Sequence, residues 1–180
     1  MRAILFLLPV LLLAAGPEYT SDGQLKFPEA YREWVFLSSG LGMTYAAPDA
    51  NQKQRFDNVF VNPEAYRSFL KTGQWPDKTV FVLEIRDAES HVSINQGGNT
   101  QGAVTAVEVE VKDSTAKTGL WTFYNFPQGP GSAAKAIPGD ARCYQCHGKN
   151  TAVENTFVQF YPTLLEVAQR KGTLKPGFAK

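Results

Sequence analysis

Cys143-Tyr144-Gln145-Cys146-His147 is the segment of this chain whose residue types and spacing prescribe a specific chemistry. Two thiols separated by two residues share one turn, so both can reach one flat partner and add to the two vinyl groups of a haem. The adjacent histidine is then held under the iron and supplies a neutral imidazole nitrogen. Three competing readings fare worse. A thioredoxin-like dithiol begins a helix behind a strand, early in a βαβ unit, whereas this motif comes late, after Pro127-Gln128-Gly129-Pro130-Gly131. A zinc site needs four ligands, and only His91 is left to join these three. A disulfide across two residues would close a very small, strained loop. The motif therefore predicts one covalently attached haem c, with Cys143 and Cys146 as anchors and His147 as the metal ligand.

The other face of that iron is read from scarcity. Electron-transfer cytochromes usually fill it with a second His or a Met, and beyond the first residues the chain offers His91 and Met43. His91 lies in the polar stretch Glu89-Ser90-His91-Val92-Ser93, where exposure is the default. Met43, in Gly40-Leu41-Gly42-Met43-Thr44, reads as a packing residue. An iron with one protein ligand and an open face follows, and such an iron binds small molecules.

The elements that must position the motif belong to one domain. Residues 1–15 carry a single positive charge, an apolar run too short to span a bilayer and a small-residue close, which predicts a cleaved export signal and a periplasmic or secreted protein. Residues 16–27 read as a loose, turn-rich N-terminal arm and 28–180 as the haem domain. A formal net charge of +1 with scattered Lys and Arg provides no basic stripe for nucleic acid. The 12 Phe, 7 Tyr and 3 Trp suit both a large core and the walls of a flat cofactor pocket.

Residues 28–37 read as a helix with proline in its first turn, and residues 44–54 as a polar loop. Asn62 is placed as the cap of a second helix opened by Pro63 and stopped by Gly73. Strands follow at 79–85, 104–111 and 120–126, with 88–102 as a hairpin connection, then a short strand at 156–160 and a helix from Pro162 to Lys171. The class is α+β: an antiparallel β-sheet with flanking helices.

In this setting the chain resembles the cytochrome P-460 family over nearly its whole length after the leader. The resemblance rests on Tyr31-Arg32-Glu33-Trp34-Val35, Asn62-Pro63-Glu64-Ala65-Tyr66, Lys71-Thr72-Gly73, Val111-Lys112-Asp113, Trp121-Thr122-Phe123-Tyr124, the haem motif and Phe157-Val158-Gln159-Phe160-Tyr161-Pro162, in that order. It implies a β-rich homodimer holding one five-coordinate haem. The family contains hydroxylamine oxidisers, whose haem is also bonded to a lysine, and cytochrome c′-beta types, which lack that bond and bind nitric oxide and carbon monoxide under an apolar cap.

Matching the segments puts the cross-linking lysine of the first type at Leu83, so the resemblance implies no such bond here. Lys71 and Lys78 read as solvated surface charges. Glu108 matches a carboxylate beside the open face and would relay protons; read as a bare strand pattern, Glu108 and Glu110 instead form the wet side of an alternating strand. Phe60, with Phe56 and Phe81 near it in sequence, would supply the cap, and Asp57 stands where the family has a basic residue. The leading expectation is a protein that binds nitric oxide, carbon monoxide or a similar ligand. The rivals are an oxidoreductase that oxidises hydroxylamine or nitric oxide and passes electrons to a partner cytochrome, and a six-coordinate electron carrier.

Overall fold

The computed structural model describes residues 16–45, 47, 52–116 and 120–178. The leader read at 1–15 and part of the 44–54 loop lie outside the described residues. Seven strands and three α-helices follow in the order β1 (Leu25–Lys26), β2 (Val35–Leu41), β3 (Arg55–Val61), α1 (Pro63–Thr72), β4 (Val80–Ser90), β5 (Asn99–Lys112), β6 (Trp121–Asn125), β7 (Ala133–Ala134), α2 (Arg142–Asn150) and α3 (Pro162–Lys171). Strands β2 to β6 form an antiparallel meander in sequence order, and β1 pairs with β7 in a separate two-stranded ribbon. The α+β class holds. No helix among the described residues is long and apolar enough to cross a membrane.

Side chains on paired strands share a face, and successive residues alternate between faces. Val35, Val61, Phe81, Glu110 and Phe123 therefore form one row across the sheet, and Val59, Leu83, Glu108 and Asn125 form the next row on the same face. Part of this face is covered by Ala65 and Phe69 of α1 and by Leu164, Val167 and Ala168 of α3, which enclose Val61, Phe81 and Trp121. We refer to it as the helix face. The opposite face carries Phe60, Val82, Val109 and Tyr124 and is covered by Leu25, Phe27 and Tyr31. The N-terminal arm is thus packed: Leu25 and Phe27 are buried, and the Phe27 amide donates to the Ser132 carbonyl at 2.9 Å.

A buried acid ties the arm side together. Glu84 accepts from the Tyr31 hydroxyl at 2.5 Å, from Arg32 at 2.7 Å, from Arg86 at 2.5 Å and from Asn58 at 3.2 Å. Burial works against its ionisation, but the hydrogen bonds from Arg86, Tyr31, Arg32 and Asn58 outweigh it and hold the carboxyl at about 2.

Four local expectations need correction. The helix read at 28–37 is a 3-10 turn at Tyr31–Glu33 followed by β2, because the β-favouring run Val35-Phe36-Leu37 finds a partner in β3. The connection read at 88–102 shrinks to residues 91–98, since Ala88, Glu89 and Ser90 pair with Gln101, Thr100 and Asn99. The strand read at 156–160 is a tight turn and a 3-10 turn at Val158–Phe160. Asn62 precedes α1 but makes no side-chain cap; its carboxamide oxygen accepts from the buried Val80 amide at 2.8 Å, pinning the helix start to β4. Gly73 does end α1, with a φ of 72°. A Cβ there would lie 2.7 Å from Lys171 Cβ, so glycine also permits the close approach of the α3 terminus.

Candidate functional site

Helix α2 carries the whole Cys/His motif. It docks on β6 through Tyr144, whose hydroxyl donates to the Ile137 carbonyl at 2.9 Å and whose ring meets Phe123 edge-on at 4.8 Å. One helical step of three residues brings His147 to the same side. Its ring lies between Phe123, at 4.5 Å, and Phe157, at 4.7 Å, both nearly edge-on. Cys143 and Cys146 are free thiols, each half-buried. The structure therefore places both cysteines and the histidine on one short, docked helix.

The imidazole has a defined polarity. His147 Nδ1 lies 2.8 Å from the Asn155 carbonyl oxygen, and a carbonyl can only accept. Nδ1 therefore carries the hydrogen, and in the neutral ring the lone pair is on Nε2. Glu110 Oε1 approaches the same Nδ1 at 3.5 Å. This oxygen is buried and has no hydrogen-bond partner within bonding geometry. Burial disfavours a charge on the ring, but the Glu110 carboxylate and the Asn155 carbonyl outweigh it and raise the imidazole above its usual value. Burial pushes the Glu110 carboxyl up, with His147 opposing.

The turn that presents Asn155 is itself braced. Thr151 donates to the His147 carbonyl and accepts from Lys175 Nζ at 2.9 Å. Gln159 joins the Ala152 amide at 2.9 Å to the Asn150 carbonyl at 2.7 Å. These contacts fix the end of α2 relative to the following loop.

The row containing Leu83 and Glu108 continues the same helix face, two residues along each strand from Phe81 and Glu110. Glu108 keeps access to solvent, yet desolvation and then the negative charge of Asp57 push its carboxyl above the usual range. Asp57 is raised as well, by burial, with Arg55 opposing. The two glutamates do not form a wet strand side: Glu110 is 8 % exposed. Lys78 is paired with Asp113 at 2.6 Å and remains partly exposed, and Lys71 sits exposed in the last turn of α1.

Phe60 is not brought to this site. It points to the opposite face, edge-on to Tyr31 at 5.5 Å and to Phe36 at 5.6 Å, because it lies one residue out of phase with Val59 and Val61. Phe81 does reach the helix face but is enclosed by Trp75, Trp121 and Tyr161. The expected aromatic cap is therefore not formed by Phe60 or Phe81. Phe123 and Phe157 are instead the aromatic rings that meet His147.

His91 sits at the far end of the β4–β5 hairpin, with a φ of 57°. Phe81 is opposite Glu110, and nine residues separate it from Ser90, roughly 30 Å at the usual strand rise. The Met43 thioether folds onto Gly40, where a Cβ would lie 2.2 Å from its sulfur. Gly40 is opposite Asp57 on the edge strand. Three strand spacings and four residues along β5 separate that spot from Glu110, roughly 19 Å in all. His91 is thus far along the sheet from Glu110, whereas the Met43 thioether is packed against Gly40, in the row of Asp57.

The residues present fit a haem held through the motif: two free thiols on one helix, and an imidazole whose Nε2 lone pair is left available by the bond at Nδ1. Sequence reasoning missed Asn155 and Glu110. Asn155 acts through its backbone, which no residue type advertises. Glu110 was signalled only by an acid on a strand otherwise rich in valine.

A family model described as Cytochrome P460 matches residues 28–158, a span containing the five-stranded sheet, α1 and the motif helix. No curated protein matches the sequence.

Proposed function

The chain belongs to the cytochrome P460 family of haem-binding cytochromes, and from that premise we propose that it is an exported protein carrying one haem c, with a five-coordinate iron that binds nitric oxide or a similar small ligand. Cys143 and Cys146 would hold the haem, and His147 would be its protein ligand through Nε2. The observation that carries this reading is the 2.8 Å contact between His147 Nδ1 and the Asn155 carbonyl, which orients the ring and leaves Nε2 free. The open sixth position rests on the place of His91 at the far end of the β4–β5 hairpin and on the packing of the Met43 thioether against Gly40. Once bound, the haem supplies an iron that takes up a small ligand and exchanges electrons.

The protein's own residues contribute orientation and polarity. Phe123 and Phe157 restrict rotation of the imidazole from two sides. Leu83 and Val59 give the helix face an apolar centre where a lysine bond would otherwise be made. That combination favours holding an uncharged diatomic ligand.

A second reading, oxidation of hydroxylamine or nitric oxide with electrons passed to a partner cytochrome, is favoured by one observation. Glu108 stands on the same face as Leu83 with a raised carboxyl, poised to take up a proton. Spectra of the ferrous protein with and without carbon monoxide test the open position: a spectrum indifferent to the gas would argue for a six-coordinate carrier. Turnover of hydroxylamine with an artificial electron acceptor separates the first two readings, since a robust rate would make the enzyme reading prevail.

A further inference from the structure

Three other parts of the structure converge on the carboxylate of Glu154. Oε1 accepts from the Trp75 backbone amide at 3.3 Å, in the connection between α1 and β4. Oε2 accepts from Trp121 Nε1 of β6 at 3.2 Å and pairs with Lys112 Nζ of β5 at 2.8 Å. Lys112 is well covered, at 13 % side-chain exposure, and also donates to the Trp75 carbonyl. Three donors from three elements thus fasten one side chain to the sheet.

That side chain belongs to the turn Val153-Glu154-Asn155-Thr156. The turn is closed by a bridge between Val153 and Thr156, and Trp75 Nε1 donates to Thr156 Oγ1 at 2.8 Å. Glu154 adopts a φ of 49°, in the left-handed region that a glutamate rarely occupies. A glycine or asparagine would fit that backbone more easily, and the carboxylate contacts account for a glutamate being held there. The residue that follows is Asn155, whose carbonyl accepts from His147 Nδ1.

We propose that Glu154 is a positioning residue for the iron ligand: anchored by Trp75, Trp121 and Lys112, it fixes the Asn155 carbonyl against His147 and so sets the electron-donating strength of the imidazole. This rests on the reading of His147 as the iron ligand. A hydrogen bond at the remote nitrogen of a metal-bound imidazole fixes its orientation and raises its basicity. Loosening the carbonyl therefore weakens the bond from imidazole to iron and destabilises the ferric state relative to the ferrous one.

The test uses the full-length, haem-loaded protein and its Glu154→Ala, Glu154→Gln, Lys112→Met and Trp121→Phe variants. The iron–imidazole stretching band of the ferrous protein is read by resonance Raman and the reduction potential by titration. Thermal unfolding of each variant is followed alongside. Glu154→Ala is expected to lower the band frequency and raise the potential. Glu154→Gln, which keeps an acceptor but not the charge, should fall between it and the wild type. Lys112→Met and Trp121→Phe should give smaller shifts of the same sign, and they decide the matter if Glu154→Ala does not fold. Wild-type band and potential in the folded variants, whatever their melting temperatures, would overturn the proposal while leaving His147 as ligand. An unchanged ferrous spectrum in His147→Gly would overturn both.

Discussion

His147 donates through Nδ1 to the carbonyl of Asn155 at 2.8 Å, so the imidazole and the group that orients it are separated by only eight residues of chain. The contact gives the motif helix a polarity that its Cys-x-x-Cys-His pattern does not contain. With Nδ1 committed, chemistry at this histidine is confined to Nε2.

The first prediction follows from that commitment. His147→Gly should leave the haem attached through Cys143 and Cys146 but abolish the spectrum of an imidazole-ligated iron, and added free imidazole should restore it. Absorbance of the purified ferrous variant, before and after imidazole, is the measurement. An unchanged spectrum in the variant would rule out His147 as the ligand.

Stability in acid should be governed largely by Glu84. Its carboxyl lies at about 2 in the folded protein against an ordinary 4.5, so the unfolded chain binds the proton first. The contribution is fully present above the unfolded value and is lost as pH falls from about 4.5 towards 2. The size is about 3 kcal/mol for a group this well buried. Asp113, also near 2 because its bonds to Lys78 and Thr115 outweigh burial, adds to the same window. Urea unfolding of the wild type should therefore weaken steeply across that range. Glu84→Gln should be destabilised at neutral pH by about 3 kcal/mol through the unpaired Arg86 and show a shallower acid slope, with the Asp113 part remaining. An equally steep slope in the variant would contradict this assignment.

Phe60 and Leu83 should separate cleanly by function. Phe60→Ala removes a partly buried ring from the arm side and should cost about 2 kcal/mol, with carbon monoxide affinity unchanged. Leu83→Phe, on the helix face beside Glu108, should alter that affinity. Gas titrations of both variants check it; a large affinity change in Phe60→Ala would return that residue to the ligand pocket. The intact mass of the wild-type holoprotein should also equal that of its chain plus one haem with no hydrogen lost, since thioether formation is an addition and Leu83 offers no amine.

Asn62→Ala should cost about 2 kcal/mol, because it strands the buried Val80 amide that the carboxamide now satisfies. Asn62→Asp keeps the acceptor oxygen and should recover part of the loss. Denaturant midpoints compare the three proteins, and a neutral Asn62→Ala would show that the helix start needs no tie to β4.

Much of the frame was legible because local chemistry and tertiary structure agree. Pro63 with Gly73, and Pro162 with the last turn at Lys171, bound α1 and α3 as proline and glycine require. The alternation of Val107, Val109 and Val111 marks a strand side that is buried. Where the two disagree, pairing prevails. Residues 35–37 carry a proline-led helical start before them, but the exposed edge of β3 captures them as β2. Polar residues 88–90 and 99–101 lack the apolar signal of a strand and are held as one by their partners.

By itself the sequence pointed to a haem, because two thiols and a histidine at that spacing constrain one another through a single helical turn. It also determined the family, through short segments in fixed order. The tertiary structure decided which side chains share a face with His147, and that depends on register. A shift of one residue turns a side chain away, so Phe60 is lost from the site while Glu110 enters it. The structure also decided the polarity of the imidazole, through a backbone carbonyl at Asn155 that any residue type could have supplied.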